Sequence, residues 1–214
     1  MTMGASQQLN RRRMPRQERS IVTVDAIFEA TIQVLLTEGP IRLNTTRVAE
    51  RAGVSVGTLY QYFPNKQSLL LALLERHLTS LTDIVEKACL ENLNTESAKI
   101  ASVVVRAYLE AIMSNAEVSP ALYYIAVDLD AGRLLDEAVQ KTVHVIERLL
   151  TSACDGYFEE CHIIAQTITA VLFGTVPAFC MRVIPSSAGA EAEKQLTLML
   201  RAYLAAQRHG NSGE

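Results

Sequence analysis

The sequence predicts an all-α protein in two parts, a small N-terminal cluster of short helices and a larger C-terminal helical bundle. Three observations predict it. Apolar residues recur at three- and four-residue intervals in successive runs, the spacing that gathers them on one helical face. No segment sustains period-two alternation, so no half-buried strand is expected. Capping and breaking residues fall between the runs, at Gly39-Pro40, Asn44, Gly53, Ser55, Pro64-Asn65 and Ser119-Pro120. With 214 residues, 49% of them apolar, the chain can bury an ample aliphatic core.

Taken in order, residues 1–19 hold Arg11, Arg12, Arg13, Arg16 and Arg19 with few apolar partners, which predicts a disordered basic arm. Ile21, Val24, Ile27, Phe28, Thr31, Val34 and Leu35 predict an amphipathic helix from about Ser20 to Thr37, closed by Gly39 and Pro40. Asn44 caps a short helix that Gly53 ends, and Ser55 caps another that reaches about Tyr62 before Pro64. Asn65 caps a long helix to about Leu90. Further helices are expected at about 97–115, 119–128, 133–153, 158–182 and 190–207, with Ser119 as a cap and Ser186–Gly189 as a loop. The domain boundaries that follow are 1–19 for the arm, 20–66 for the cluster and 67–214 for the bundle.

Charge divides along the same line. Residues 1–66 carry nine Lys/Arg against five Asp/Glu, and residues 67–214 carry eleven against eighteen. A basic head on an acidic body fits a polyanionic partner for the head, although a solubilising tail has the same composition. Cys89, Cys154, Cys161 and Cys180 lack CxxC spacing, which argues against a zinc knuckle and fits a reducing cytoplasm. No apolar run follows the N-terminal arginines, so a secretory signal is not expected.

The run from Gly53 to Leu70, GVSVGTLYQYFPNKQSLL, interrupts the helical pattern with glycines and polar aromatics. Val48, Ala49, Val54 and Leu59 are spaced to share a small core, and Gly53 can take the positive φ of a tight turn between two helices. That spacing predicts a helix-turn-helix, whose second helix can enter a DNA major groove. Ser55, Val56, Gly57 and Thr58 would form the first turn of that helix, with Tyr60 and Tyr62 beside it. Thr45, Thr46 and Arg47 open the preceding helix, and Lys66 opens the next, where free N–H groups favour a phosphate.

Residues 44–70, NTTRVAERAGVSVGTLYQYFPNKQSLL, closely resemble the DNA-binding signature of the tetracycline-repressor (TetR) family. The resemblance covers about residues 20–75; beyond residue 90 only the helical layout agrees. It implies a homodimeric bacterial regulator, usually a repressor, whose bundle dimerises and binds a small-molecule inducer. By the same resemblance, the DNA contacts would fall to Thr45, Thr46, Ser55, Val56, Gly57, Thr58, Tyr60, Tyr62 and Lys66.

In the body, residues 163–184 are apolar enough to raise a membrane span, but Gln166, three threonines, Pro177 and Arg182 argue against one. Ala170, Gly174 and Ala178 recur every fourth residue and, with Leu196, Leu200, Tyr203 and Leu204, are the candidate dimer interface. Tyr108, Met113, Tyr123, Tyr124, Phe173 and Met181 are candidates for an apolar inducer pocket, with His144, Glu147 and Arg148 as polar anchors; each also suits ordinary core or surface. Glu159-x-x-His162 has no second copy, so no metal site is expected. No nucleophile triad, phosphate loop or carboxylate pair stands out, so neither an enzyme nor a cofactor is expected. The competing reading is a ligand-binding or catalytic bundle whose helix-turn-helix mediates protein contacts.

Overall fold

The structure is a computed structural model that describes residues 16–114, 116–180 and 189–209. Most of the expected basic arm, Met181 and most of the 186–189 loop therefore lie outside the described residues. The chain separates into two compact units, residues 1–64 and 65–214.

The first unit holds α1 (Arg16–Arg42), α2 (Thr45–Ala52) and α3 (Val56–Tyr62). Helix α1 begins at Arg16, four residues earlier than its apolar pattern requires. It breaks where expected, at Gly39, whose φ of 80° and ψ of 169° end the helix before Pro40. Ile27, Val34, Leu43, Val48, Ala49 and Leu59 are all buried. Phe28 packs its ring 5.5 Å from that of Phe63, the residue that caps α3.

The second unit holds α4 (Lys66–Leu90), α5 (Ser97–Ser114), α6 (Ser119–Asp128), α7 (Gly132–Thr151), α8 (Cys161–Gly174), α9 (Val176–Cys180) and α10 (Gly189–Gln207). Helix α5 lies between α4 and α10, and α7 between α4 and α8. The apolar face of α5, including Ile100, Val104, Val105 and Tyr108, meets Ile146, Leu149, Ile168, Leu172, Leu200 and Leu204 in one core. Asp155 caps α5 from a distant loop. It accepts hydrogen bonds from the Ser97 N–H and hydroxyl, both 2.8 Å, and pairs with Arg208. Burial would raise the Asp155 carboxyl, but these donors outweigh it and hold the group below its usual range.

Two expected elements differ. The run at 158–182 is divided at Thr175 into α8 and α9. Pro177 has no N–H for the Phe173 carbonyl and its ring crowds that carbonyl, so a continuous helix cannot pass. The neighbouring Leu172 carbonyl accepts from Tyr108 Oη at 2.6 Å and Thr175 Oγ1 at 2.7 Å. Helix α8 alone spans about 21 Å, but by length and composition Cys161–Ala178, like Ser20–Arg42, is long and apolar enough to cross a membrane. In α6, Ser119 lies inside the helix instead of capping it, and Val118 takes the cap position without a side-chain bond.

Candidate nucleic-acid interface and ligand cavity

The helix-turn-helix is assembled from local hydrogen bonds. Asn44 Oδ1 accepts from the Arg47 N–H at 3.0 Å and starts α2. At its end Gly53 has φ 69°; the Gly53 N–H reaches the Glu50 carbonyl at 3.1 Å, and the Val54 N–H reaches that of Ala49 at 3.0 Å. This is the paired bonding of a left-handed C-terminal cap. Two residues on, Ser55 Oγ accepts from the Thr58 N–H at 2.9 Å and shares a 2.8 Å bond with the Thr58 hydroxyl, fixing the start of α3. Leu59 points inward and is fully buried.

The side chains expected to read DNA fall mostly on the outside of this unit. Thr46, Arg47, Ser55, Gly57 and Tyr60 are exposed, and Val56, Thr58 and Tyr62 are half-buried. A Cβ built on Gly57 would meet only Ser55 Oγ, at 3.7 Å, so the backbone there is open. Thr45 differs: it is buried, and its hydroxyl lies 3.0 Å from Tyr60 Oη. It orients the tyrosine and does not present its own hydroxyl outward. Arg47 pairs with Glu38, which steers its guanidinium. In the second unit, Lys66 opens α4 behind a reciprocal cap in which Ser68 N–H donates to Asn65 Oδ1 at 2.8 Å.

The second unit holds a partly open cavity of about 230 Å³ among α4, α5, α6, α7 and the α8–α9 break. Tyr108, Tyr123 and Phe173, three of the candidate pocket residues, line it. Tyr124 does not, being 54% exposed, because α6 turns that side outward. Met113 is also outside the lining. His144 and Arg148 lie exposed on α7 beside a shallow depression, where Glu147 meets His162 Nδ1 at 3.0 Å. Among the polar residues that line the cavity is His77, whose Nε2 is 3.3 Å from Ser119 Oγ. Burial pushes His77 down to about 4, so it is neutral at pH 7. A sequence signal existed: His77 falls in the stripe of Leu70, Leu73, Leu74, Leu78 and Leu81, where an aliphatic residue would be usual.

The proposed dimer residues divide between two environments. Ala170 and Gly174 are exposed on α8, while Ala178 lies beyond the break on α9, so the three do not share one continuous helix. Leu200 is buried in the unit's own core, and Leu196 and Tyr203 pack against it. The stripe of α10 therefore faces inward because α5 covers it. The outward apolar side chains are Ile163 on α8 and Leu198 and Met199 on α10. Among the described residues, no cluster of His, Cys, Asp and Glu could hold a metal ion.

Residues 27–73 match the family model for bacterial regulatory proteins, tetR family. The fatty acid metabolism regulator protein of Bacillus subtilis (strain 168) is 22% identical over 151 residues, covering 70% of this chain and 77% of that protein. The nucleoid occlusion factor SlmA of Glaesserella parasuis is 36% identical over 95 residues, 44% of either chain. This chain thus spans less than half of that relative's length. Among solved structures, the fatty acid degradation regulator FadR from Bacillus halodurans aligns with a TM-score of 0.63 at 21% identity, covering 83% of this chain and 94% of that one. At that identity the likeness is one of fold.

Proposed function

We propose that this chain, a tetR-family transcriptional regulator by its N-terminal helix-turn-helix, is a homodimeric repressor that binds a palindromic operator and is released by a small molecule. The observation that carries the reading is the first turn of α3, where Ser55, Gly57 and Thr58 combine an ordered cap with an open backbone. There the backbone can approach a duplex closely, and the Thr58 methyl and hydroxyl suit a thymine methyl or a phosphate. Tyr60, Tyr62, Thr46, Arg47 and Lys66 would hold phosphates, while Val56 packs against base edges.

The cavity in the second unit supports the inducer, since a concave apolar site with few polar groups is the usual form of a small-molecule site. Helix α4 follows α3 directly in the chain and lines that cavity with Leu74, His77, Leu78, Leu81, Thr82 and Val85. It is the element through which an occupied cavity would move the DNA-reading helices. Ile163, Ala170, Gly174, Leu198 and Met199 are the proposed subunit contact. The protein would act in the cytoplasm, on double-stranded DNA, without a cofactor or a membrane partner.

The test is to select bound duplexes from a random pool with the purified protein. The expected result is an approximate palindrome whose half-site centres lie about 34–36 Å apart, or a multiple of that. A pool that shows no enrichment after repeated rounds would remove the DNA reading. It would leave a helix-turn-helix used for protein contacts.

A further inference from the structure

We infer that the cavity takes an uncharged, largely apolar molecule of about nine non-hydrogen atoms with a single hydrogen-bonding group, and that the His77–Ser119 pair holds that group. The inference rests on reading the second unit as the effector-binding part of a regulator.

Size comes first. A cavity of about 150 Å³ accommodates benzene, with six non-hydrogen atoms, so 230 Å³ suits about nine. The walls then exclude charge. Leu74, Leu78, Leu122, Leu135, Ile112 and Phe173 are typical of the lining, which contains no Lys, Arg, Asp or Glu among the described residues. A carboxylate or ammonium placed there would lose its hydration without gaining a counter-charge, a cost that a small ligand cannot offset. His77 does not supply the missing charge, because burial keeps it neutral at pH 7.

The remaining polar groups of the wall are largely committed. Tyr108 Oη donates to the Leu172 carbonyl at 2.6 Å, Thr82 Oγ1 to that of Thr79 at 3.0 Å, and Thr142 Oγ1 to that of Ala138 at 2.9 Å. Tyr123 is a further, half-buried phenol on the wall. The His77–Ser119 pair is different, because its bond joins two side chains and can run in either direction. When Ser119 donates to the bare Nε2, its oxygen can accept from a ligand hydroxyl. When Nε2–H donates to Ser119, the serine proton is free for a ligand carbonyl. A neutral alcohol, ketone, lactone or ester therefore finds a partner whichever way its own hydrogen bond runs.

The experiment uses the full chain and a set of probes of matched length: 1-octanol, 2-nonanone, octane, octanoate and octylammonium, each titrated by calorimetry at pH 7.5. The ketone and the alcohol should bind at least tenfold more tightly than the two ions. Ser119→Ala and His77→Gln should weaken the ketone or alcohol about tenfold while leaving octane affinity unchanged, so octane also reports that the cavity has remained folded. Octanoate binding as tightly as 2-nonanone would overturn the inference, and so would the failure of all five probes to bind. Loss of octane affinity along with the others would likewise overturn the assigned role of the pair. Fluorescence anisotropy on an operator duplex, with and without 2-nonanone, is read separately. Selective binding that leaves DNA affinity unaltered would refute the effector reading and spare the ligand class. Octanoate that binds best and releases DNA would do the reverse.

Discussion

Gly53 and Gly57 lie four residues apart and are glycine for different reasons. Gly53 has φ 69°, in the left-handed region where a Cβ costs roughly 1–2 kcal/mol even with open space around it. Gly57 is an ordinary helical residue where a Cβ would make only a van der Waals contact with Ser55 Oγ, so the fold does not demand it. Gly53→Ala should therefore lower stability by about 1–2 kcal/mol in urea unfolding. Gly57→Ala should raise it by up to about 1 kcal/mol, yet weaken operator binding in anisotropy titrations, because in the proposed complex the methyl group would stand between backbone and base edges. Undiminished DNA affinity in Gly57→Ala would mean that the backbone does not approach the duplex. His77 makes a separate prediction. An ordinary histidine titrates near 6.5 and this one near 4, so between those values the unfolded chain holds a proton that the folded chain lacks. Stability from this group is full above about pH 6.5 and falls as pH drops toward 4, by roughly 3 kcal/mol in all. Urea unfolding at pH 7 and pH 5 should show a smaller acid loss for His77→Gln than for the unsubstituted chain.

Helix ends do much of the work at the next scale. Helices α2, α3 and α4 each begin at a side-chain cap, from Asn44, Ser55 and Asn65 respectively. Their first turns, which hold Thr46, Arg47, Gly57, Thr58 and Lys66, are ordered by those bonds and lie at the positive ends of the helix dipoles, which favour phosphate. Lys66→Ala should weaken binding to all duplexes about equally and reduce the slope of log affinity against log salt by roughly one. A sequence-selective loss with the slope unchanged would place Lys66 on a base edge instead. At the other end of the chain, Pro177 divides one apolar run into α8 and α9 and opens a wall of the cavity, which Phe173, Val176 and Pro177 line.

For the whole molecule, two proposed couplings can be measured. Gly174 is exposed, and a Cβ there would meet nothing within 4 Å, so Gly174→Leu should leave the folded chain intact. If its surroundings form the subunit contact, sedimentation should show a shift from dimer toward monomer. Operator affinity should fall with it, because each head then reads a half-site alone. An unchanged dimer would exclude this face. The second coupling is reciprocal. An inducer that weakens operator binding by some factor must itself be bound more weakly by that factor in the presence of operator. Calorimetric titration of the inducer with and without operator DNA checks the equality, and identical affinities would contradict release by the ligand.

The sequence by itself determined most of the elements and the helix-turn-helix. Caps, breakers and the Gly53 turn act over four or five residues, so Asn44, Ser55, Asn65 and Gly39 could be placed without a tertiary partner. The exposed residues of α3 followed from the same local register, since Leu59 must face inward. Tertiary structure decided what depends on neighbours distant in the chain. Thr45 turns toward Tyr60, Ser119 leaves its capping role to meet His77, and Leu200 is covered by α5. The apolar periodicity of α10 marks a buried face but carries no information on whether that face meets its own chain or a second copy. Likewise, a histidine in a leucine stripe is a core residue or a ligand contact depending on whether the opposing helices close over it. Here α5, α6 and α7 leave about 230 Å³ open, and that space makes His77 part of a cavity.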